Sequence, residues 1–252
     1  MNVEKVPGAF VLHHALTPTE CNDMIDACER EGFGDFSVGK NHHGALQILI
    51  SQPTAMELFE RLKPFVDSLR IRHGEEEEER HYDMVGINRR WRVYRYEPGG
   101  IQQFGPHIDA GFPPSSLSSD GTHLIWDATS HSDTWEEYPP GTVSRLTILL
   151  YLNDDFEGGH TNFYPPVYHA LKGEGHSNHH QWTRNDVMVS VQPQTGMILL
   201  FPQAVGEEEV EMARIHWSLH EGSPVESGTR PKYVIRSDVL FVESQERLAT
   251  IT

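Results

Sequence analysis

From residue 84 onward the chain is cut into short runs rich in β-branched and aromatic residues. They read "RWRVYRYEP", "SRLTILLYLND", "MVSVQPQTGMILLFPQ", "RIHWSLHE" and "KYVIRSDVLFVE", each bounded by Gly, Pro or Asn-Asp. Short runs with this punctuation predict strands joined by turns. Ahead of them the pattern is helical. "TPTECNDMIDACEREGF" offers Thr17 or Thr19 as an N-cap, Pro18 and Glu20 early, a helical spacing of Ile25, Cys28 and Phe33, and Gly32 as a stop. "TAMELFERLKPFVDSLRIR" predicts a second helix, interrupted or kinked at Pro64. Many strands behind two helices predict an α+β, mainly β chain: a β-sandwich or jelly roll flanked by N-terminal helices.

No repeat, low-complexity linker or Pro/Ser tether divides the chain, so one domain over residues 1–252 is expected, with a helical flank to about 83 and a β core over about 84–245. Two long segments, 112–141 and 164–186, break the strand rhythm. Loops of this length in a compact domain are usually functional or disordered. Trp126, Trp135 and Trp182 favour partial order.

The formal net charge of −17 argues against a nucleic-acid partner and against an anionic membrane surface. No apolar run approaches the roughly 18–20 residues of a membrane helix. The N-terminus lacks the basic and apolar regions of a secretory signal. Cys21 and Cys28, on one predicted helix, lie about two turns or roughly 10 Å apart, too far for a disulfide. An intracellular, cytoplasmic location is the simplest expectation. The glutamate runs at 75–79 and 207–211 are expected to be solvated.

"RVYRYEPGGIQQFGPHIDAGF" places His107 and Asp109 two positions apart after a strand and a Pro-Gly-Gly turn. On a strand, residues i and i+2 face one side, roughly 6.5–7 Å apart at Cα, so an imidazole and a carboxylate could converge on one ion. A second imidazole would complete a two-His-one-carboxylate set with open positions. The spacing alone is weak. With 16 His and 13 Asp, chance gives about one His-x-Asp, and the chain holds three, the others at His81 and His131. Neither of those follows a strand with turn signals.

Four segments, in this order, resemble the prolyl-4-hydroxylase-like 2-oxoglutarate/Fe(II)-dependent dioxygenases: "RVYRYEPGG…F.PHIDAGF", "LTILLYLNDDFEGGHTNF", "VQPQTGMILLFPQ" and "HEGSPVESGTRPKYVIRSDVLF". The resemblance implies a double-stranded β-helix core. It implies Fe(II) on His107, Asp109 and His220, with His216 as the rival third ligand. It implies 2-oxoglutarate as co-substrate and O₂ as oxidant, with hydroxylation of a C–H bond coupled to release of succinate and CO₂. The family anchors the far carboxylate of 2-oxoglutarate on a Lys or Arg, commonly ten residues after the distal histidine. Arg230 occupies that position, but the register of "KYVIRSD" favours Lys232, with Arg236 as a possible neighbour. Tyr96 and Tyr151 match positions whose hydroxyls contact the co-substrate, and Asn153 is a weaker candidate for the pocket wall.

The substrate is expected to be a peptidyl side chain or a small metabolite. The 112–141 segment is expected to lid the mouth, with Phe112, Trp126 and Trp135 as contacts. The glycines of "EGGHTNF" are expected to set a turn rather than bind phosphate. His169, His176, His179 and His180 are expected to be exposed rather than a second metal site. Two other classes fit parts of the pattern: a non-catalytic metal-binding sensor or scaffold, and a cupin-type dioxygenase without 2-oxoglutarate. The latter has no need of a far-carboxylate anchor.

Overall fold

The structure is a computed structural model that describes residues 2–6, 9–38, 41–66, 68–73, 78–118, 120, 124–125, 138–165, 184–203 and 219–244. Its first part runs β1 (Asn2–Val6), β2 (Ala9–His13), α1 (Pro18–Glu31), β3 (Gly34–Val38), β4 (Asn41–Leu49), α2 (Gln52–Leu62), β5 (Ser68–His73) and β6 (Glu78–Ile87). The core comes next with β7 (Arg90–Tyr96), β8 (Phe104–His107), β9 (Ser116–Leu117), β10 (Leu124–Ile125), β11 (Val143–Tyr151), β12 (Phe156–Gly158) and β13 (Thr161–Phe163). It closes with β14 (Val189–Val191), β15 (Met197–Pro202), β16 (His220–Gly222), β17 (Val225–Gly228) and β18 (Lys232–Glu243).

α1 starts where Thr17 and Glu20 form a reciprocal capping box with Pro18 in the first turn, and Gly32 (φ 86°) ends it. Its buried stripe is Cys21, Ile25 and Cys28, and both cysteines are free thiols. α2 ends at Leu62 instead of continuing through Pro64, whose ring would clash with the preceding turn, and the "SLRIRH" segment beyond it enters β5. The expected helical flank to residue 83 is therefore mixed. Besides two helices it contributes strands, with β3 and β4 extending the large sheet beyond β7.

The large sheet has the order β1-β2-β15-β11-β18-β7-β4-β3, with β6 also paired to β18 and β5 to β6. A four-stranded sheet, β14-β13-β16-β8, faces it. Period-2 alternation divides the large sheet into two faces. Ile148, Leu150, Ile198, Leu200, Tyr233 and Ile235 pack with Cys21, Ile25, Leu58, Phe59 and Leu62 under the helices. Leu149, Tyr151, Leu199, Phe201 and Val234 pack with Phe163 and Val191 of the smaller sheet. This is the expected jelly roll with a helical cover on one sheet. Among the described residues no helix is long and apolar enough to cross a membrane.

Candidate metal and co-substrate site

The smaller sheet aligns two histidines across one strand pair: His220 on β16 lies directly opposite His107 on β8. Asp109 comes two residues after the end of β8. The three side chains each offer a ligand atom, and these atoms lie within 4.8 Å of one another. Among the described residues no other group of three such donors occurs. Asp109 and His220 are buried, and the imidazoles stand 4.4 Å apart at their centroids.

The surroundings fix which atoms remain available. The Gly105 carbonyl can only accept, so at 2.8 Å it holds the proton on His107 Nδ1 and leaves Nε2 as the free donor. Phe104 lies tilted against His107 with ring centroids 4.1 Å apart, and Phe201 lies 4.4 Å from the His220 ring. Arg236 Nε donates to Asp109 Oδ2 at 2.9 Å and Thr147 Oγ1 donates to the same oxygen at 2.8 Å. Oδ1 is left toward His107, 3.5 Å from its Nε2, and Oδ2 lies 3.8 Å from His220 Nε2. Burial pushes the Asp109 carboxyl up, but in the metal-free protein His107 and His220, when protonated, together with the Thr147 hydrogen bond outweigh it and lower the pKa. Two imidazole nitrogens and one carboxylate oxygen, oriented by their neighbours and open on one side, suit a divalent first-row metal.

Behind Asp109 the network continues. Gln203 Nε2 bridges Thr147 Oγ1 at 3.1 Å and Asp238 Oδ1 at 2.7 Å, and Arg236 Nη2 also donates to the Ala110 carbonyl at 2.9 Å. Arg236 was a possible neighbour of Lys232 in the sequence; in the structure it braces Asp109.

The metal donors share a cleft of about 410 Å³ with Tyr94, Tyr96, Phe104, Thr161 and Lys232. Lys232, 2% exposed, donates from Nζ to the Gly159 carbonyl at 2.6 Å. Its ammonium lies 5.4 Å from the Tyr96 ring and 5.6 Å from the Tyr151 ring. No carboxylate among the described residues pairs with it. Burial lowers its pKa to about 7. A buried cation without an anion is costly unless a ligand supplies one. The Tyr151 hydroxyl meets Thr161 Oγ1 at 2.7 Å, and burial raises the pKa values of both Tyr96 and Tyr151.

Two sequence candidates fall elsewhere. Arg230 is exposed and pairs with Asp155 at 3.5 Å, because the two residues before Lys232 belong to the turn rather than the inward-facing strand. Asn153 does not line the cleft. It donates to Asp155 Oδ1 and the Pro231 carbonyl and accepts from Tyr233 N–H at 2.8 Å, so it pins the chain on either side of Lys232. Phe112 covers two guanidiniums, 3.8 Å from that of Arg90 and 5.1 Å from that of Arg92. Trp126, Trp135, Trp182, His216, the four insert histidines and the run at 207–211 lie outside the described residues. The "EGGHTNF" glycines do set a turn, with φ of 77° at Gly158 and 64° at Gly159. Thr147 and Gly105 carry no signal beyond strand parity with Tyr151 and His107, and Thr161 carries none.

A jelly roll with an open-sided His-Asp-His set and a buried cation in the same cleft defines a mononuclear metal site built to take an anionic co-ligand. The 2OG-Fe(II) oxygenase superfamily matches residues 91–237, more than half of the chain, and the chain belongs to that superfamily. It is accordingly an Fe(II)- and 2-oxoglutarate-dependent oxygenase. No curated protein matches it by sequence. Among solved structures it is similar to a viral collagen prolyl hydroxylase from Paramecium Bursaria Chlorella virus-1 in its 2OG complex. That pair is 16% identical over 93% of this chain and 96% of the other, with a TM-score of 0.50. A Trichoplax adhaerens prolyl hydroxylase, in complex with a hypoxia inducible factor oxygen degradation domain peptide fragment, is 17% identical over 98% and 89%, with a TM-score of 0.49. A Pseudomonas putida prolyl-4-hydroxylase is 13% identical over 93% and 92%, with a TM-score of 0.48.

Proposed function

We propose that His107, Asp109 and His220 hold the Fe(II), that Lys232 anchors the far carboxylate of 2-oxoglutarate, and that the enzyme hydroxylates a C–H bond of a peptidyl side chain or small metabolite. The observation that carries this reading is the convergence of three donors within 4.8 Å in one cleft with a buried, anion-free lysine. When bound, the iron and co-substrate supply the oxidising chemistry that no side chain can provide. The protein's part is orientation and exclusion of water. Gly105 fixes the His107 tautomer, Arg236 and Thr147 fix the Asp109 carboxylate, and Tyr94, Tyr96 and Phe104 form apolar walls. Lys232 serves no purpose in a cupin-type dioxygenase that lacks 2-oxoglutarate.

The test is an anaerobic titration with Fe(II) and 2-oxoglutarate, then exposure to O₂, in wild type and His220→Ala. The weak visible charge-transfer band of the chelate and succinate release are both expected in wild type and both strongly reduced in the variant. Metal binding with neither band nor succinate would overturn the 2-oxoglutarate assignment. An undiminished band in His220→Ala would overturn the third ligand.

A further inference from the structure

A second cavity, with about 720 Å³ of open space, adjoins the metal cleft and shares Tyr94 and Phe104 with it. Phe36, His43, Ala45, Leu46, Gln47 and Arg92 complete its wall. The aromatic part is continuous: Phe36 stacks on His43 at 4.7 Å, His43 stacks on Phe104 at 5.5 Å, and Phe104 lies tilted against His107 at 4.1 Å. The neighbouring His43, 1% exposed, donates from Nδ1 to the Gly44 carbonyl at 3.3 Å, so its Nε2 is an acceptor. Among the described residues Arg92 Nη2, a buried donor at this wall, has no hydrogen-bond partner. Unsatisfied buried donors are rare and commonly await a ligand.

The charge around Arg92 is one-sided. Its neighbours across the strands are Gln47 on β4 and Arg236 on β18, and Arg90 lies two residues along β7. Gln47 is occupied by Arg90 Nη2 at 2.6 Å. Among the described residues the carboxylates around these guanidiniums are Asp109, held by Arg236 and Thr147, and Asp238, whose oxygens take Gln203 Nε2 at 2.7 Å and Asn88 Nδ2 at 3.5 Å and whose Oδ1 lies 3.6 Å from Arg236 Nη2. Within the described residues three guanidiniums therefore meet two carboxylates, one of them a proposed metal ligand. In a chain of net charge −17, a cationic surplus inside the cleft is a placed feature rather than a compositional one.

Register separates this cation from the co-substrate anchor. Lys232 lies opposite Tyr96 and Arg236 opposite Arg92, four residues apart on both strands. That is about 13 Å along the sheet, too far for one small diacid anchored at Lys232 to reach Arg92 past the metal donors.

We infer that Arg92 forms a carboxylate subsite for the primary substrate, whose apolar body lies against Phe36, Phe104 and Tyr94 and points its reacting carbon toward the metal donors. The inference rests on the oxygenase reading of the cleft. It deepens that reading by naming the substrate class: a carboxylate-bearing compound or side chain with a flat or cyclic apolar portion. A guanidinium is the side chain best matched to a carboxylate in such a desolvated site.

The test uses the protein loaded anaerobically with Fe(II) and saturating 2-oxoglutarate, the loading itself monitored by titration calorimetry. Phenylacetate is then titrated, with phenylacetamide as the neutral isostere. Wild type is expected to bind phenylacetate at least about tenfold tighter than phenylacetamide, as one charge-assisted hydrogen bond provides. In Arg92→Gln the ratio should fall to about one, with phenylacetamide binding little changed. Lys232→Met should weaken 2-oxoglutarate and leave phenylacetate alone. Equal binding of the two probes by wild type, or no detectable phenylacetate binding, overturns the subsite, and this comparison does not depend on any variant folding. A phenylacetate preference retained in Arg92→Gln overturns the role of Arg92. Failure of 2-oxoglutarate loading refutes the oxygenase reading separately, and the two probes are then compared on the unloaded protein.

Discussion

Thr147 is fully buried on β11 and donates to Asp109 Oδ2 at 2.8 Å while accepting from Gln203 Nε2 at 3.1 Å. Thr147→Val keeps the shape and the β-branch and removes both contacts. Gln203 Nε2 retains Asp238 Oδ1 at 2.7 Å, so the main loss is one hydrogen bond to a buried carboxylate. Hydrogen bonds to charged groups contribute about 1.5–3 kcal/mol. At about 2–4 °C per kcal/mol for a chain of this size, the melting temperature should drop by roughly 3–12 °C. Asp109 then keeps Arg236 on Oδ2 but can rotate about that contact, so Oδ1 is no longer fixed toward His107. Loss of such supporting contacts typically weakens metal binding by about 10–100-fold. Thermal melts monitored by circular dichroism and anaerobic calorimetric titration with Fe(II) measure the two effects, and Thr147→Ser should recover most of both. A variant that loses stability but binds metal within about twofold of wild type would show that the Thr147 hydrogen bonds only stabilise the fold, and that Arg236 alone orients the ligand.

Lys232 gives a pH signature. Burial lowers its pKa from 10.5 to about 7 in the ligand-free protein. Between those values the unfolded chain binds more protons than the folded one, so this group makes stability rise with pH across that window. A dianion selects the protonated lysine, so above pH 7 its binding should take up a proton and weaken toward about tenfold per pH unit. Calorimetry of 2-oxoglutarate binding at pH 8 in two buffers of different ionisation enthalpy would detect the uptake, and none would remove Lys232 from the site. Gly159 has φ of +64°, and a Cβ there would meet Lys232 Cδ at 3.1 Å and Phe156 Cε2 at 3.0 Å. Gly159→Ala should therefore weaken 2-oxoglutarate binding about tenfold or more while the fold survives, and unchanged affinity would show that the anchor tolerates displacement. Gly196 has φ of +76°, and a Cβ there would sit 2.1 Å from the Leu16 carbonyl oxygen. Gly196→Ala should cost about 2–5 kcal/mol in urea unfolding, and a loss below about 0.5 would mean the α1 entry can shift freely.

Part of the candidate site was legible because its chemistry is local: His107 and Asp109 are two residues apart at a strand end, while His220 was implied only by the resemblance carried by "HEGSPV". The core strands were legible for a similar reason: alternation and turn residues are properties of neighbouring positions, and β11 and β18 fall where those patterns place them. Pro64 was legible as a breaker, although not as an end point. The conformation of the chain beyond α2 depends on the pairing of β5 with β6, a partner supplied from elsewhere in the chain.

Side-chain partnerships across strands were not legible, since they depend on register. Parity puts Lys232 and Arg236 on one face, yet only the pairing of β18 with β7 and β11 sends Lys232 to Gly159 and the tyrosine rings and Arg236 to Asp109. A single-residue slip would reverse every one of these assignments. Asn153 and Arg230 are polar residues near the anchor in sequence, but the turn ahead of β18 directs one into backbone bonds and the other to the surface pair with Asp155. The class of fold and the candidate His-x-Asp pair are written along the chain, because periodicity and short spacing are linear properties. Which atoms of those donors stay free, which cation faces the cleft, and the placement of Arg92 and His43 beside it emerge only on folding, because those outcomes depend on contacts between strands far apart in sequence.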